Sequence, residues 1–300
     1  MDLNILHLIF SLTIDGTGTG LCNPIELSRR FPDAFREVTC GRATPCADCT
    51  KPSGCPWFSV FSQQLSTNPE AVRRHQKPSL PFVFGTPFLL PAEKFSSPEL
   101  SLTLVGSAVN HAGDFIRGIE RFIAVDGGGE NNLDEIYTEG VYGERSFLTM
   151  TKRGEVKGDL RILAADEITG KSVGDNDTLS LAFITPYRQF QEGRLLRNFD
   201  CSVFLRGIIR RVSSLVAAYG DGKFDDDFKA LADLSKGIAL QQNQLVFTPG
   251  NVPGRGGIVG SVRLYGNLAP FLPYLLLGEY LHAGKGASWG YGRYQLIMDK

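Results

Sequence analysis

The sequence predicts an α+β protein built of two tandem ferredoxin-like domains, with a small cysteine knuckle inserted in the first. Three observations carry this reading. Strand and helix patterns alternate twice along the chain, separated by a polar stretch at 170–177. The length, 300 residues, suits two domains of about 150 residues each. Four cysteines fall between positions 40 and 55, inside the first cycle. The expected boundaries are 1–170 for the N-terminal domain and 175–300 for the C-terminal one.

The elements follow in order. Leu3 to Ile14 places Leu6, Leu8, Phe10, Leu12 and Ile14 on one face in period two, which is a strand signal. A turn with Gly16, Gly18 and Gly20 follows. Pro24 then opens a helix over Ile25 to Val38, because proline suits the first helical turn. Pro78, Pro81, Pro87 and Pro91 make the stretch after the knuckle extended and irregular. Leu100 to Val105 reads as a strand. Ala112 to Val125 reads as a helix with Phe115, Ile119 and Phe122 at helical spacing, closed by glycines 127 to 129. Strands are expected at Ile136 to Tyr142, Ser146 to Thr151 and Val156 to Leu163.

The second cycle opens with a strand at Leu179 to Thr185. Cys201 to Tyr219 is a strong amphipathic helix, and a shorter one runs from Asp226 to Leu234. Leu240 to Phe247 and Val259 to Leu264 read as strands. Ala269 to His282 is a helix whose start or kink is set by Pro273. Tyr291 to Met298 is the last strand. No exact repeat is visible, so duplication rests on element order alone.

Composition narrows the function classes. The hydrophobic share is 42% and the charged share 21%, values of an ordinary globular chain. The net charge of −1 excludes a generic histone-like nucleic-acid binder but leaves room for a local basic surface. No apolar run reaches the ~18 residues of a membrane span. The apolar N-terminus has no Lys or Arg before Arg29, so it reads as a strand and not a secretory signal. The expected compartment is the cytoplasm, without membrane attachment, where cysteines are thiols or metal ligands.

The cysteine spacing is Cys40-x5-Cys46-x2-Cys49-x5-Cys55. Four thiolates in a Pro- and Gly-rich segment can wrap a tetrahedral structural Zn²⁺, and their softness also permits an iron–sulfur centre. The x5 spacers differ from those of common zinc fingers, and the plain alternative is a set of reduced thiols in a loop. A closed four-thiolate site leaves no open position for chemistry, so no catalytic cofactor is expected. Cys22 and Cys201 read as ordinary buried thiols.

Glycine is enriched, 34 residues of 300, and it clusters. Gly284, Gly286, Gly290 and Gly292 form G-x-G-x3-G-x-G between the last helix and the last strand. This is not a dinucleotide fingerprint, because Trp289 stands where the third glycine belongs and a strand follows. It is not a P-loop, because Gly278 to Gly284 is one residue too long and Gly286 replaces the Ser or Thr. What remains is a flexible loop with free N–H groups, flanked by His282, Lys285 and Arg293, able to hold phosphates. The plain alternative is a turn packed against the sheet. Further cations group at Arg188 to Arg211, with Arg210 and Arg211 on the strong helix, and at Arg73, Arg74, His75 and Lys77.

Of the four histidines, His7 lies in a strand between Ile5 and Ile9 and reads as a sheet-face residue. His111 caps or starts a helix. His75 and His282 sit in basic or glycine-rich surroundings and are the acid/base candidates, His282 at a helix C-terminus.

These residues bring a family into view. The stretch LLLGEYLHAGKGASWGYGRYQL, within Phe271 to Leu296, resembles the C-terminal signature of CRISPR-associated pre-crRNA-processing endoribonucleases of the RAMP superfamily. LRGIIRRVSSLVAAYG, Leu205 to Gly220, is similar to a helix of that family's second domain. The cysteine motif ending in Cys55-Pro-Trp-Phe-Ser-Val-Phe resembles one branch of it, and HQKPSLPFVF, His75 to Phe84, its central segment. The likeness is scattered over most of the chain and most specific at the C-terminus. It implies two RAMP- or RRM-like ferredoxin folds and metal-independent cleavage of CRISPR repeat RNA in pre-crRNA. In that reaction a 2′-hydroxyl attacks the adjacent phosphate and leaves a 2′,3′-cyclic phosphate and a 5′-hydroxyl. The acid/base roles of that reaction are expected of His282 and His75, with a Lys/Tyr/Arg set as the alternative. RNA contacts fall to Gly284, Lys285, Gly286, Gly290, Gly292, Arg293, Arg210 and Arg211. Metal ligation by Cys40, Cys46, Cys49 and Cys55 remains the expectation from their spacing. The implied partners are CRISPR repeat RNA and the subunits of a CRISPR effector complex. Several relatives carry a catalytic histidine in or near the first helix, whereas this chain has none from Gly16 to Arg74. Other relatives only bind RNA, which makes a non-catalytic crRNA-binding subunit the alternative.

Overall fold

The computed structural model describes residues 1–13, 23–40, 46–49, 54–63, 77–86, 98–126, 131–151, 155–171, 177–220, 226–250 and 256–297. The chain divides into two compact units, Asn4–Leu163 and Met1–Leu3 with Ala164–Lys300. Among the described residues no helix is long and apolar enough to cross a membrane.

In the first unit the elements are β1 (Asn4–Thr13), α1 (Pro24–Thr39), α2 (Pro56–Phe61), β2 (Phe82–Gly85), β3 (Glu99–Val105), α3 (Ala112–Asp126), β4 (Asn132–Glu139), β5 (Arg145–Met150), β6 (Val156–Gly158) and β7 (Ile162–Ala164). The sheet runs β2-β3-β1-β4-β5-β6, and β7 also pairs with β1. Its first four strands have the ferredoxin order, with neighbouring pairs antiparallel. The register explains the core. Leu6, Leu8 and Phe10 of β1 face Leu104, Leu102 and Leu100 of β3, and Phe82 and Phe84 of β2 lie opposite Leu104 and Leu102. This apolar face packs on α1 and α3. Phe31 of α1 touches the rings of Phe35, Phe82, Phe84, Phe115 and Phe122. Burial of each such ring contributes about 1.5–3 kcal/mol. Asn23 caps α1 by accepting the Ile25 N–H, and Pro24 stands in its first turn.

The second unit holds α4 (Ala165–Thr169), β8 (Thr178–Tyr187), β9 (Phe190–Gln191), β10 (Arg194–Leu195), α5 (Cys201–Tyr219), α6 (Phe228–Leu234), β11 (Ala239–Gln241), β12 (Val246–Thr248), β13 (Gly257–Tyr265), α7 (Leu272–Leu281) and β14 (Tyr294–Ile297). Its sheet runs β11-β13-β8-β14, with β12 also on β13, so the ferredoxin order recurs. Leu179, Leu181 and Phe183 of β8 meet Leu264, Val262 and Tyr294 across the ladder. Ile208, Val212 and Leu215 of α5 and Leu275 and Leu277 of α7 are fully buried.

Several elements differ from expectation for identifiable reasons. The proline-rich stretch contains β2, whose four residues are all buried. The expected strand at Val156 to Leu163 is two strands. It breaks after Gly158, whose φ of 125° suits glycine alone. The one at Leu240 to Phe247 is also two, because Gln242 takes a φ of 42°. Tyr142 lies in a turn and is 79% exposed. Helix α2 and the β9–β10 hairpin carried too few residues to show periodicity. The hairpin turns on Glu192 and Gly193, both at positive φ as a two-residue hairpin loop of this hand demands. Gly16, Gly18, Gly20, Cys22, Arg73, Arg74, His75 and glycines 127 to 129 lie outside the described residues.

Candidate functional site

The glycine-rich loop joins α7 to β14. Pro273 stands in the first turn of α7, and apart from Glu279 the helix carries no charged residue, so it is buried over most of its length. It ends at His282, which takes a φ of 56° while its N–H still donates to the Gly278 carbonyl. Gly284, Gly286, Gly290 and Gly292 all have positive φ, and Ala287–Trp289 form a single 3₁₀ turn between them. At Gly292 a side chain would collide with the Ala283 carbonyl, so only glycine fits.

The loop is not the flexible, open backbone that its composition suggests. Ala283 N–H donates to Gly292 O at 2.9 Å, and Gly292 N–H donates to Pro186 O at 3.0 Å. Lys285 N–H reaches Arg188 O at 3.0 Å. Thr185, fully buried at the end of β8, donates from Oγ1 to Gly290 O at 2.7 Å and accepts the Arg293 N–H at 2.8 Å. Trp289 and Gly290 donate within the 3₁₀ turn. The loop is therefore riveted to β8. Among the described residues the amide N–H groups of Gly284 and Gly286 donate to no protein acceptor.

Helix α5 supplies a second anchor. Arg211 donates from Nε to Leu281 O at 2.6 Å and from a terminal nitrogen to Ser288 Oγ at 3.3 Å. Burial lowers its pKa to about 10, so it remains a cation at neutral pH. Sequence reasoning treated Arg210 and Arg211 as one pair of RNA contacts. The structure separates them: Arg210 is exposed, while Arg211 turns inward and holds the loop's main chain. Successive helical residues point about 100° apart, so a cation on each side of the helix boundary is the normal outcome.

Other predicted residues sit as follows. Lys285 is exposed on the loop, and Arg293 is half-buried at its exit. Arg188 stacks its guanidinium over Tyr291 at 5.0 Å and Phe190 at 5.7 Å. His282 is 3% exposed, so its ring lies inside the fold. His75 lies outside the described residues. His7 pairs with Thr103 across the ladder, Nδ1 to Oγ1 at 2.9 Å, a sheet-face contact. His111 closes the 3₁₀ turn before α3 and contacts the Asp114 carboxylate at 3.2 Å.

The four cysteines occupy element ends: Cys40 after α1, Cys46 and Cys49 around a 3₁₀ turn, and Cys55 at the start of α2. All four are half-buried, and none is in a disulfide. Among the described residues no group of three or more His, Cys, Asp or Glu is arranged to hold a metal ion. Zinc at these thiols rests on spacing alone, and no chemistry is routed through it. Trp57, next to this segment, donates from Nε1 to Pro32 O at 3.1 Å and ties α2 to α1.

Comparison with known proteins adds the following. Residues 181–294 match the family model described as CRISPR-associated endoribonuclease Cas6. Residues 30–156 match a model described as an N-terminal domain. Among curated proteins none matches. The fold is similar to that of a Cas6 (TTHA0078) product complex, at 15% identity over 98% of this chain and 99% of that one, with a TM-score of 0.59. It is similar to Thermus thermophilus Cas6 (TTHB231), at 12% identity, 99% and 100% coverage and a TM-score of 0.55. A partial Cas6-RT-Cas1--Cas2 complex matches at 12% identity over 99% of this chain and 46% of that one, with a TM-score of 0.55.

Proposed function

We infer that this chain belongs to the CRISPR-associated endoribonuclease Cas6 family, whose model matches residues 181–294, and that it cleaves CRISPR repeat RNA without needing a metal ion. The observation that supports this best is the glycine-rich loop, which lies inside the matched residues. It is held rigidly by Thr185 and Arg211 and presents Lys285, with Arg293 at its exit. A pre-set loop bearing cations can bind a phosphate without ordering itself at that moment. Two of the similar Cas6 structures are described as a product complex and a substrate mimic complex, which favours a processing role.

In the proposed step a general base takes the proton of a ribose 2′-hydroxyl, and O2′ attacks the adjacent phosphorus. The P–O5′ bond breaks, and a general acid protonates O5′. The products are a 2′,3′-cyclic phosphate and a 5′-hydroxyl, and no water is consumed. Lys285 and Arg293 stabilise the extra negative charge on the phosphorane. The acid and base are assigned to His75 and to His282, the latter after its ring turns outward. A structural zinc at Cys40, Cys46, Cys49 and Cys55 would stabilise the knuckle alone. We place the protein in the cytoplasm with its RNA, alongside other CRISPR proteins.

A second reading, a crRNA-binding subunit without cleavage, is favoured by two observations. No histidine occurs from Gly16 to Arg74, and the His282 ring is buried. Single-turnover incubation of repeat RNA in EDTA, with wild type, His75→Ala and His282→Ala, separates the two. A single cut with a cyclic phosphate end supports the nuclease, and loss in one variant identifies its histidine. Tight binding without a cut supports the second reading.

A further inference from the structure

A cavity of about 600 Å³ opens beside the start of α5, away from the residues assigned above. Its size is within the range of small-ligand sites. Its wall combines three kinds of group. Phe199 offers a half-buried ring, backed by Phe183, Tyr187 and Phe204. Gln191 and Asn198 are exposed, and among the described residues their side-chain amides bond to no protein group. Lys236 stands at the edge, in an exposed pair with Asp233 at 2.7 Å.

The electrostatics sort what can enter. Asp200 is one of the residues lining the cavity, and its carboxylate caps α5 there by accepting the Val203 N–H at 2.9 Å. A phosphate inside would meet this negative charge. A neutral, planar, hydrogen-bonding group would not. Arg194 and Arg197 are exposed on the segment that forms the rim, with Arg197 lying over Phe247 at 5.6 Å. The inside thus suits a nucleobase, and the rim suits the phosphates on either side of it.

The cavity also shares its support with the glycine-rich loop. Pro186 O and Arg188 O accept N–H groups of that loop. The next residue, Gln189, is buried and bonds the main chain of Asp200 in both directions, at 2.6 and 3.1 Å. One short segment therefore fixes the loop at one end and the cavity wall at the other.

We propose that this cavity takes one unstacked nucleobase of the bound RNA, read by Gln191 and Asn198 and stacked against Phe199. This rests on the RNA reading of the preceding section. The test is an abasic scan: repeat RNAs lacking one base at a time are titrated onto wild type and onto the Gln191→Ala/Asn198→Ala double variant. Both side chains are exposed, so the variant folds, and its Tm verifies this. Wild type is expected to show one position where base removal weakens binding about tenfold, the scale of one stacked and hydrogen-bonded base. In the double variant most of that penalty disappears, while the other positions keep theirs. Identical scans for the two proteins overturn the proposal and leave RNA binding intact. Failure of the wild type to bind any repeat RNA overturns the underlying functional reading, and the cavity's role with it.

Discussion

The Tyr294 hydroxyl fills the space in which any side chain on Gly278 would begin, and from there it donates to Leu275 O at 2.7 Å. Strand β14 is thereby pressed onto α7 on one side of the glycine-rich loop. Glu279 adds a second clasp by accepting the Leu296 N–H at 2.8 Å. Gly278→Ala should therefore lower stability by about 1–3 kcal/mol through overpacking, without any change in surface charge. Thermal unfolding measures it. A variant as stable as wild type would show that β14 moves away at little cost.

Arg211 tests whether the loop's geometry matters to RNA chemistry. Arg211→Met keeps the aliphatic stem but loses the bonds to Leu281 O and Ser288 Oγ. The single-turnover rate should fall about 10- to 100-fold with a smaller change in RNA affinity, because displacement of a positioned group acts mainly on the reacting geometry. Arg211→Lys should recover part of the rate. Equal losses of rate and affinity would instead make Arg211 a direct phosphate contact.

Lys285 gives the opposite pattern. It is exposed, so Lys285→Ala should leave Tm unchanged. RNA binding should weaken regardless of sequence, and the slope of log affinity against log salt should drop by about one unit. An unchanged slope would remove Lys285 from the phosphate contacts.

The first unit has its own acid-sensitive contact. Burial alone would raise the pKa of Asp114, but hydrogen bonds from His111 and Arg117 outweigh it and hold the carboxyl below its usual value. A carboxylate with a depressed folded pKa stabilises above its unfolded pKa, near 3.9, and that contribution is lost as pH falls through the lower, folded value. Asp114→Asn should flatten the acid limb of a stability–pH curve below about pH 4. Superimposable acid limbs would contradict this.

The two ferredoxin cycles were legible because their core strands and helices alternate in clear periods. Leu6, Leu8 and Phe10 mark one face of β1, and Phe115, Ile119 and Phe122 mark one face of α3. Strand β2 was hidden because Pro78 and Pro81 mask Phe82–Gly85, whose side chains are buried on both faces and therefore do not alternate. The glycine-rich loop was visible as a motif, but its rigidity was not. Its fastenings come from Thr185, 105 residues away from its partner along the chain, and from Arg211, 70 and 77 residues away from its two partners. The inward turn of Arg211 and the burial of His282 are tertiary facts that no local pattern announces.

The central claim, an attack by the RNA's own 2′-hydroxyl on a phosphate held at the glycine-rich loop, is tested most directly by one substitution in the RNA. Repeat RNA with a single 2′-deoxy nucleotide at the cut site is compared with the all-ribose RNA under single turnover in EDTA. Binding should be unchanged, cleavage at that site should be absent, and the all-ribose product should carry a 2′,3′-cyclic phosphate end. Cleavage of the 2′-deoxy RNA at an unchanged rate would contradict the claim, because the nucleophile would then have to come from elsewhere.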